Sequence, residues 1–101
     1  MKTHLDVKIN TFQLSSLFDE IEEKFYNHVV ANHIYCSHCY QMANKGVTVE
    51  EIYLTPHNDV QVLGRCNRCK GDVGRLFEFG TRVEFKQKAL KLRAAIRKEL
   101  A

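Results

Sequence analysis

Two matched cysteine pairs constrain this chain more than any other feature. Cys36-Ser37-His38-Cys39 and Cys66-Asn67-Arg68-Cys69 share a two-residue gap, and together they use all four cysteines of the 101 residues. The interval from Tyr40 through Arg65 is too long for one tight loop and right for a hairpin that leaves one pair and returns to the other. Four thiolates gathered in this way meet tetrahedrally around one zinc at about 2.3 Å, and C-x2-C at both ends is the usual way to present them. One structural Zn2+ held by Cys36, Cys39, Cys66 and Cys69 is therefore the expected cofactor. Iron is chemically compatible with the same donors, but zinc is the default where nothing selects redox chemistry.

Other uses of the thiols fit less well. A thioredoxin-like dithiol needs one C-x-x-C beside a βαβ pattern, whereas the residues between Cys39 and Cys66 read as hairpin strands. A disulfide scaffold belongs to secreted chains. Here the opening Met1-Lys2-Thr3-His4-Leu5-Asp6 carries no apolar signal region, and no later run is long enough to span a membrane. A reducing cytoplasm is the expected compartment. His33, three residues before Cys36, is an alternative ligand in a mixed site of one histidine and three cysteines. His38 is expected to point out of its knuckle, and His28 and His57 read as solvated polar residues.

The flanking segments follow from periodicity. Leu5, Val7 and Ile9 alternate with polar neighbours, as in a short strand or extended arm. Asn10 or Thr11 then caps a helix of about five turns, whose stripe is Leu14, Leu17, Phe18, Ile21, Phe25 and Val29, with Asp19, Glu20, Glu22 and Glu23 as its solvated side. After Cys39 the period becomes two: Val47 and Val49, continued by Ile52, Tyr53 and Leu54, and then Val60, Val62 and Gly64. Thr55-Pro56-His57-Asn58-Asp59 joins these strands as a turn in which Asn58 or Asp59 accepts a left-handed backbone. Gly71 is expected to supply a positive φ after the second knuckle. Val73, Arg75, Phe77 and Phe79 make a third strand. Thr81 with Glu84 has the form of a capping box, opening a helix with the stripe Phe85, Ala89, Leu92, Ile96 and Leu100.

The expected fold is α+β: a three-stranded antiparallel sheet flanked by an N-terminal and a C-terminal amphipathic helix. It forms a single domain over 1–101, with the first helix at 10–33, the metal-bearing sheet at 34–80 and the last helix at 81–101. The two knuckles, the hairpin through Pro56 and the strand after Gly71 resemble a zinc ribbon of the broad rubredoxin-like type over about residues 34–80. That resemblance implies a rigid metal-stapled module of the kind that contacts nucleic acid or another protein. True rubredoxins, which hold iron, place glycine directly after both cysteine pairs and proline inside the second, where this chain has Tyr40, Lys70 and Asn67.

Four thiolates close the coordination shell and leave no metal-bound water to activate, and the chain contains no H-E-x-x-H, G-x-S-x-G or P-loop pattern. A binding protein without a small-molecule substrate is expected, not an enzyme. The net charge of +3 is unevenly spread, with seven Lys/Arg against two Asp/Glu in residues 81–101. On the first reading, Arg65, Arg68, Lys70 and Arg75 near the metal join Arg82, Lys86, Lys88, Arg93 and Arg97 as a basic surface for nucleic acid, in a transcription- or RNA-associated role. Tyr35, Tyr40 and Tyr53 add stacking where exposed. On the alternative reading, the two amphipathic helices form a protein-protein or homodimer interface. The direction of the basic side chains discriminates: open on one face for nucleic acid, apposed to Glu20, Glu22 and Glu23 for packing.

Overall fold

In the computed structural model, which describes residues 6–100, the chain runs β1 (Val7–Ile9), α1 (Thr11–Leu17), α2 (Glu20–Asn32), β2 (Tyr35–Cys36), β3 (Gln41–Met42), β4 (Val47–Leu54), β5 (Val60–Cys66) and β6 (Asp72–Phe77). A single 3-10 turn (Phe79–Thr81) then leads into α3 (Val83–Leu100). β4 and β5 pair antiparallel and β6 adds to β5, as periodicity of two predicts. The sheet has four strands, not three, because β1 pairs antiparallel with β4 and gives the order β1-β4-β5-β6. Alternation in Val7, Lys8 and Ile9 shows that a strand can form there, but only tertiary placement shows where it pairs. Leu5 lies outside the described residues.

One irregularity makes the hairpin work. Val47 and Val49 have the opposite parity to Ile52 and Leu54, so a regular strand would turn them to opposite faces. Between Val49, opposite Gly64, and Glu51, opposite Leu63, the register shifts, and Glu50 is the extra residue of a β-bulge. All four apolar side chains then share the face of Ile9, Val62, Val73 and Phe77. In the connecting turn Asn58 takes φ 62°, its N–H donating to the Thr55 carbonyl, as expected of Asn in that position.

The first helix is two helices. Asn10 caps α1: its side chain accepts the Gln13 N–H at 2.7 Å, and the Gln13 side chain accepts the Asn10 N–H at 2.9 Å. The predicted continuous helix breaks at Phe18, whose ψ of 141° is extended, and Asp19 caps a second start with Glu22. That capping box, Asp19-x-x-Glu22, was legible as sequence but hidden inside an apolar stripe. The break rotates the helix: α2 turns Glu22 and Val29 inward, with Tyr26 and Val30 half-buried, and leaves Ile21 70% and Phe25 49% exposed.

Glu22 is therefore not part of a solvated face. It is 4% exposed, accepts the Asp19 N–H at 2.8 Å and accepts Nε of Arg82 at 2.5 Å. Arg82 Nη2 also reaches Asp19 at 3.3 Å. Beside them Phe18, Tyr26, Phe77, Phe79 and Phe85 form one aromatic cluster with centroids 5.1 to 6.2 Å apart.

Before α3 the predicted capping box does not form. Thr81 donates to the Glu78 carbonyl, and Arg82, extended, accepts the first helical bond from Lys86. The stripe itself holds, with Phe85 and Ala89 buried and Leu92 and Ile96 half-buried. Phe79, expected in the third strand, lies in the 3-10 turn, since β6 ends at Phe77. Among the described residues no helix is long and apolar enough to cross a membrane.

Candidate metal centre

The sheet delivers the second cysteine pair and the β2–β3 ribbon delivers the first. Cys36 ends β2, Cys66 ends β5, and Cys39 and Cys69 sit in the turns that follow. All four sulfurs lie within 4.8 Å of one another, with Cys36 to Cys69 at 3.5 Å and Cys39 to Cys66 at 4.0 Å. A tetrahedron with metal–sulfur bonds near 2.3 Å has edges of about 3.8 Å, so the spacing fits one four-coordinate ion. It is far beyond a disulfide bond of about 2.05 Å, and all four cysteines are free. Cys36 and Cys66 are buried, Cys39 is half-buried and Cys69 is exposed.

The second knuckle is closed by the Lys70 N–H donating to the Cys66 carbonyl at 2.8 Å and the Cys66 N–H donating to the Gly71 carbonyl at 3.0 Å. The Gly71 N–H donates to the Cys69 sulfur at 3.4 Å, and the N–H groups of Cys69 and Arg68 aim at the Cys66 sulfur. These two bonds, Cys69 first, bring the Cys66 thiol down to about 7. Cys39 has the opposite surroundings: its hydrogen bond to the Cys69 thiol, then burial, push it up to about 12. A bound cation would favour all four as thiolates and would release the proton that the Cys39 thiol otherwise keeps.

Positive φ falls elsewhere than expected. Gly71 has no positive φ; at the knuckles the left-handed residues are Tyr40 (φ 56°) and Lys70 (φ 65°), each directly after the second cysteine of its pair. Gly71 leaves room for a neighbouring ring. A Cβ there would lie 2.3 Å from Cδ2 of His38, because that imidazole, though exposed, lies against the opposite knuckle. His33 is not drawn into the cluster: its ring packs on His28 with centroids 4.5 Å apart. His57 is exposed in the hairpin turn.

Asn67 emerges as a positioning residue. Its N–H donates to the Gly46 carbonyl at 3.1 Å and its side-chain NH2 to the Lys45 carbonyl at 3.0 Å, while its side-chain oxygen accepts the Thr48 hydroxyl at 2.5 Å. These bonds lock the second knuckle to the segment entering β4. A short amide inside a knuckle was the only sequence signal.

The nine basic residues do not form one surface. Arg65 pairs with Asp72 at 3.3 Å and Glu50 at 3.5 Å. Arg75 turns inward, over the Phe77 ring and onto the His33 carbonyl at 3.2 Å, where it caps the end of α2. Arg82 is held by Glu22 and Asp19, the packing arrangement. Its proton is bound more tightly than usual because of Glu22, and the Asp19 carboxyl lies below the ordinary range chiefly through the Glu22 N–H. Arg93 donates to the Thr55 carbonyl and to the buried Asn58 side chain, and burial makes it easier to deprotonate.

Arg68, Lys70, Lys86, Lys88 and Arg97 are exposed. Two of these five border the metal. Lys86 and Lys88 lie between the 3-10 turn, where the Gly80 N–H donates to Asp59 at 2.8 Å, and Arg93, which binds the same hairpin turn. The length of β5 separates that turn from the knuckles, about 20 Å at 3.3 Å per residue. The metal end carries its own exposed aromatics, Tyr40 at 84% and Tyr35 at 53%, with Met42 opposite Tyr35 across β2–β3. Tyr53 is buried and unsuited to stacking.

No family model, no curated protein and no solved structure matches the chain.

Proposed function

We propose that this is a zinc-stapled, non-enzymatic binding protein that contacts single-stranded nucleic acid with the metal end of its ribbon. The carrying observation is the pair of left-handed residues that follow the knuckles. Glycine takes a positive φ without steric cost, whereas an L side chain there costs about 1–2 kcal/mol. This chain nevertheless places an almost fully exposed tyrosine at one such position and an exposed lysine at the other. Neither side chain repays its strain by packing, and strain of this kind clusters where a side chain is needed for binding.

An exposed ring stacks on an unpaired base and a cation neutralises a phosphate. Tyr35, Arg68 and Lys70 extend the same end. A four-sulfur shell supports a structural role for the ion, since it leaves no coordination position for a substrate. Zinc suits tetrahedral sulfur ligation, and four free thiols suit a reducing compartment such as the cytoplasm.

The test is a salt titration of labelled single strand and duplex with zinc-loaded protein. Single strands are expected to bind more tightly, without sequence preference. Log affinity should fall by about 0.7 per phosphate contacted, for only two or three phosphates, because only Arg68, Lys70 and the exposed Lys45, whose carbonyl holds Asn67, serve the metal end. Failure to bind single strand at low salt, or stronger binding to duplex, refutes the reading.

A further inference from the structure

The four sulfurs of the metal centre differ in access. Cys36 and Cys66 are buried and Cys39 is half-buried, whereas Cys69 is exposed. Its sequence neighbours Arg68 and Lys70 are exposed too. The Lys70 ammonium meets only a neutral acceptor, the Asn67 carbonyl, and the closest acid along the chain, Asp72, is taken up by Arg65 at 3.3 Å. A reagent that reaches Cys69 therefore arrives at a locally cationic surface. Reactive cysteines are thiolates in electropositive, partly exposed surroundings, and those that respond to oxidants have a second thiol close by to resolve the product. Cys36 meets that second requirement. Its sulfur lies 3.5 Å from that of Cys69, closer than the 4.0 Å between Cys39 and Cys66, and solvent does not reach it.

We propose that Cys69 is a site of oxidation by hydroperoxides, and that Cys36 completes the reaction by bridging to it with loss of the metal. In the first step the Cys69 thiolate attacks one peroxide oxygen and the O–O bond breaks. The sulfur gives up two electrons and becomes a sulfenic acid, while the other oxygen takes a proton from solvent and leaves as an alcohol, or as water where the oxidant is hydrogen peroxide. In the second step the Cys36 thiolate attacks the Cys69 sulfur. The S–S bond forms, the S–O bond breaks, and the departing hydroxide is protonated to water. One peroxide is reduced and two thiolates are oxidised to one disulfide.

Cys39 and Cys66 are then two donors where a closed site needs four, so the ion departs. The bridge joins the same two knuckles that the ion joined, and the sheet stays fastened at that end. A dithiol reductant reverses the change by exchange at the bridge, which returns both thiols. Neither step involves nucleic acid.

The experiment treats the zinc-loaded full chain with limiting and then excess hydrogen peroxide, without nucleic acid. Zinc is read with an indicator dye, bridges by peptide mass spectrometry and the sheet by circular dichroism. One zinc should be lost per bridge formed, the first bridge should be Cys36 to Cys69, and the β signal should persist, in contrast to its loss on chelation. A cyclic diketone present during the reaction should label Cys69 before any other cysteine, and a dithiol with added zinc should restore the loaded protein. Zinc that stays bound in excess peroxide, a first label on another cysteine, a first bridge inside one knuckle such as Cys66 to Cys69, or zinc loss accompanied by unfolding overturns the proposal.

Discussion

Replacing Tyr40 and Lys70 by glycine separates strain from function at the metal end. Each residue sits at a φ near 60°, a conformation that costs an L side chain about 1–2 kcal/mol, and glycine's greater freedom in the unfolded chain offsets about 0.5–1 of that. Little packing is lost. Tyr40 is 84% exposed, and the Lys70 ammonium makes one exposed bond, to the Asn67 carbonyl at 3.2 Å. Each substitution is therefore expected to stabilise the fold by about 0.5–1 kcal/mol, or about 2–8 °C in Tm for a domain of this size.

The assay is thermal unfolding by circular dichroism at a fixed, buffered free-zinc concentration, because a metal that binds only the folded state shifts Tm by mass action. Anisotropy with a labelled single strand, on the same samples, should show Tyr40→Gly weakening binding by roughly tenfold, the loss of one stacked base. A lower Tm in either variant refutes the strain argument. A higher Tm with unchanged binding leaves the strain intact and removes the role assigned to these side chains.

Other expectations concern the metal and the packing. Chelation or Cys66→Ser should unfold the ribbon, as followed by loss of the β signal, since metal binding in such small sites supplies on the order of 10–16 kcal/mol. Metal affinity should fall as pH drops through about 7, where Cys66 takes up a proton and competes with the metal, in addition to the proton that Cys39 releases at any pH below about 12; a zinc-indicator titration across pH 6–8, the region on the order of one unit either side of that value, detects it. Gly64→Ala should cost about 1–3 kcal/mol by urea unfolding, because its Cβ would meet the Thr48 carbonyl oxygen at 2.2 Å across the central strand pair. Arg82→Ala should lower Tm by leaving the buried Glu22 carboxylate without its cation, and adding Glu22→Leu should recover part of the loss, since the unpaired charge goes with it.

Where the local signal was strong, the sequence could be read directly. Asn10 caps α1, Asn58 turns the hairpin, and Phe85, Ala89, Leu92 and Ile96 hold α3 to the core, each a matter of near neighbours or a clean period. Misreadings arose where two local signals overlapped. The stripe from Leu14 to Val29 hid the second capping box, and the helix restart changed which residues face inward. The basic residues misled because charge is visible in a sequence but its partner is not: Arg75 and Arg82 look alike on paper to Arg68 and Lys70, yet their partners are 42 and 60 residues away.

Cysteine spacing, hairpin period and turn chemistry by themselves determined that this chain gathers four thiols at one end of an antiparallel sheet, because those constraints act over a few residues and admit few backbones. Tertiary structure alone decided that β1 joins the sheet, that Glu22 is buried against Arg82, that the charge of α3 is parted from the knuckles, and that Tyr40 and Lys70 carry the left-handed strain. Each of these depends on which distant surfaces meet, and the burial and electrostatics of a side chain are set by its neighbours in space.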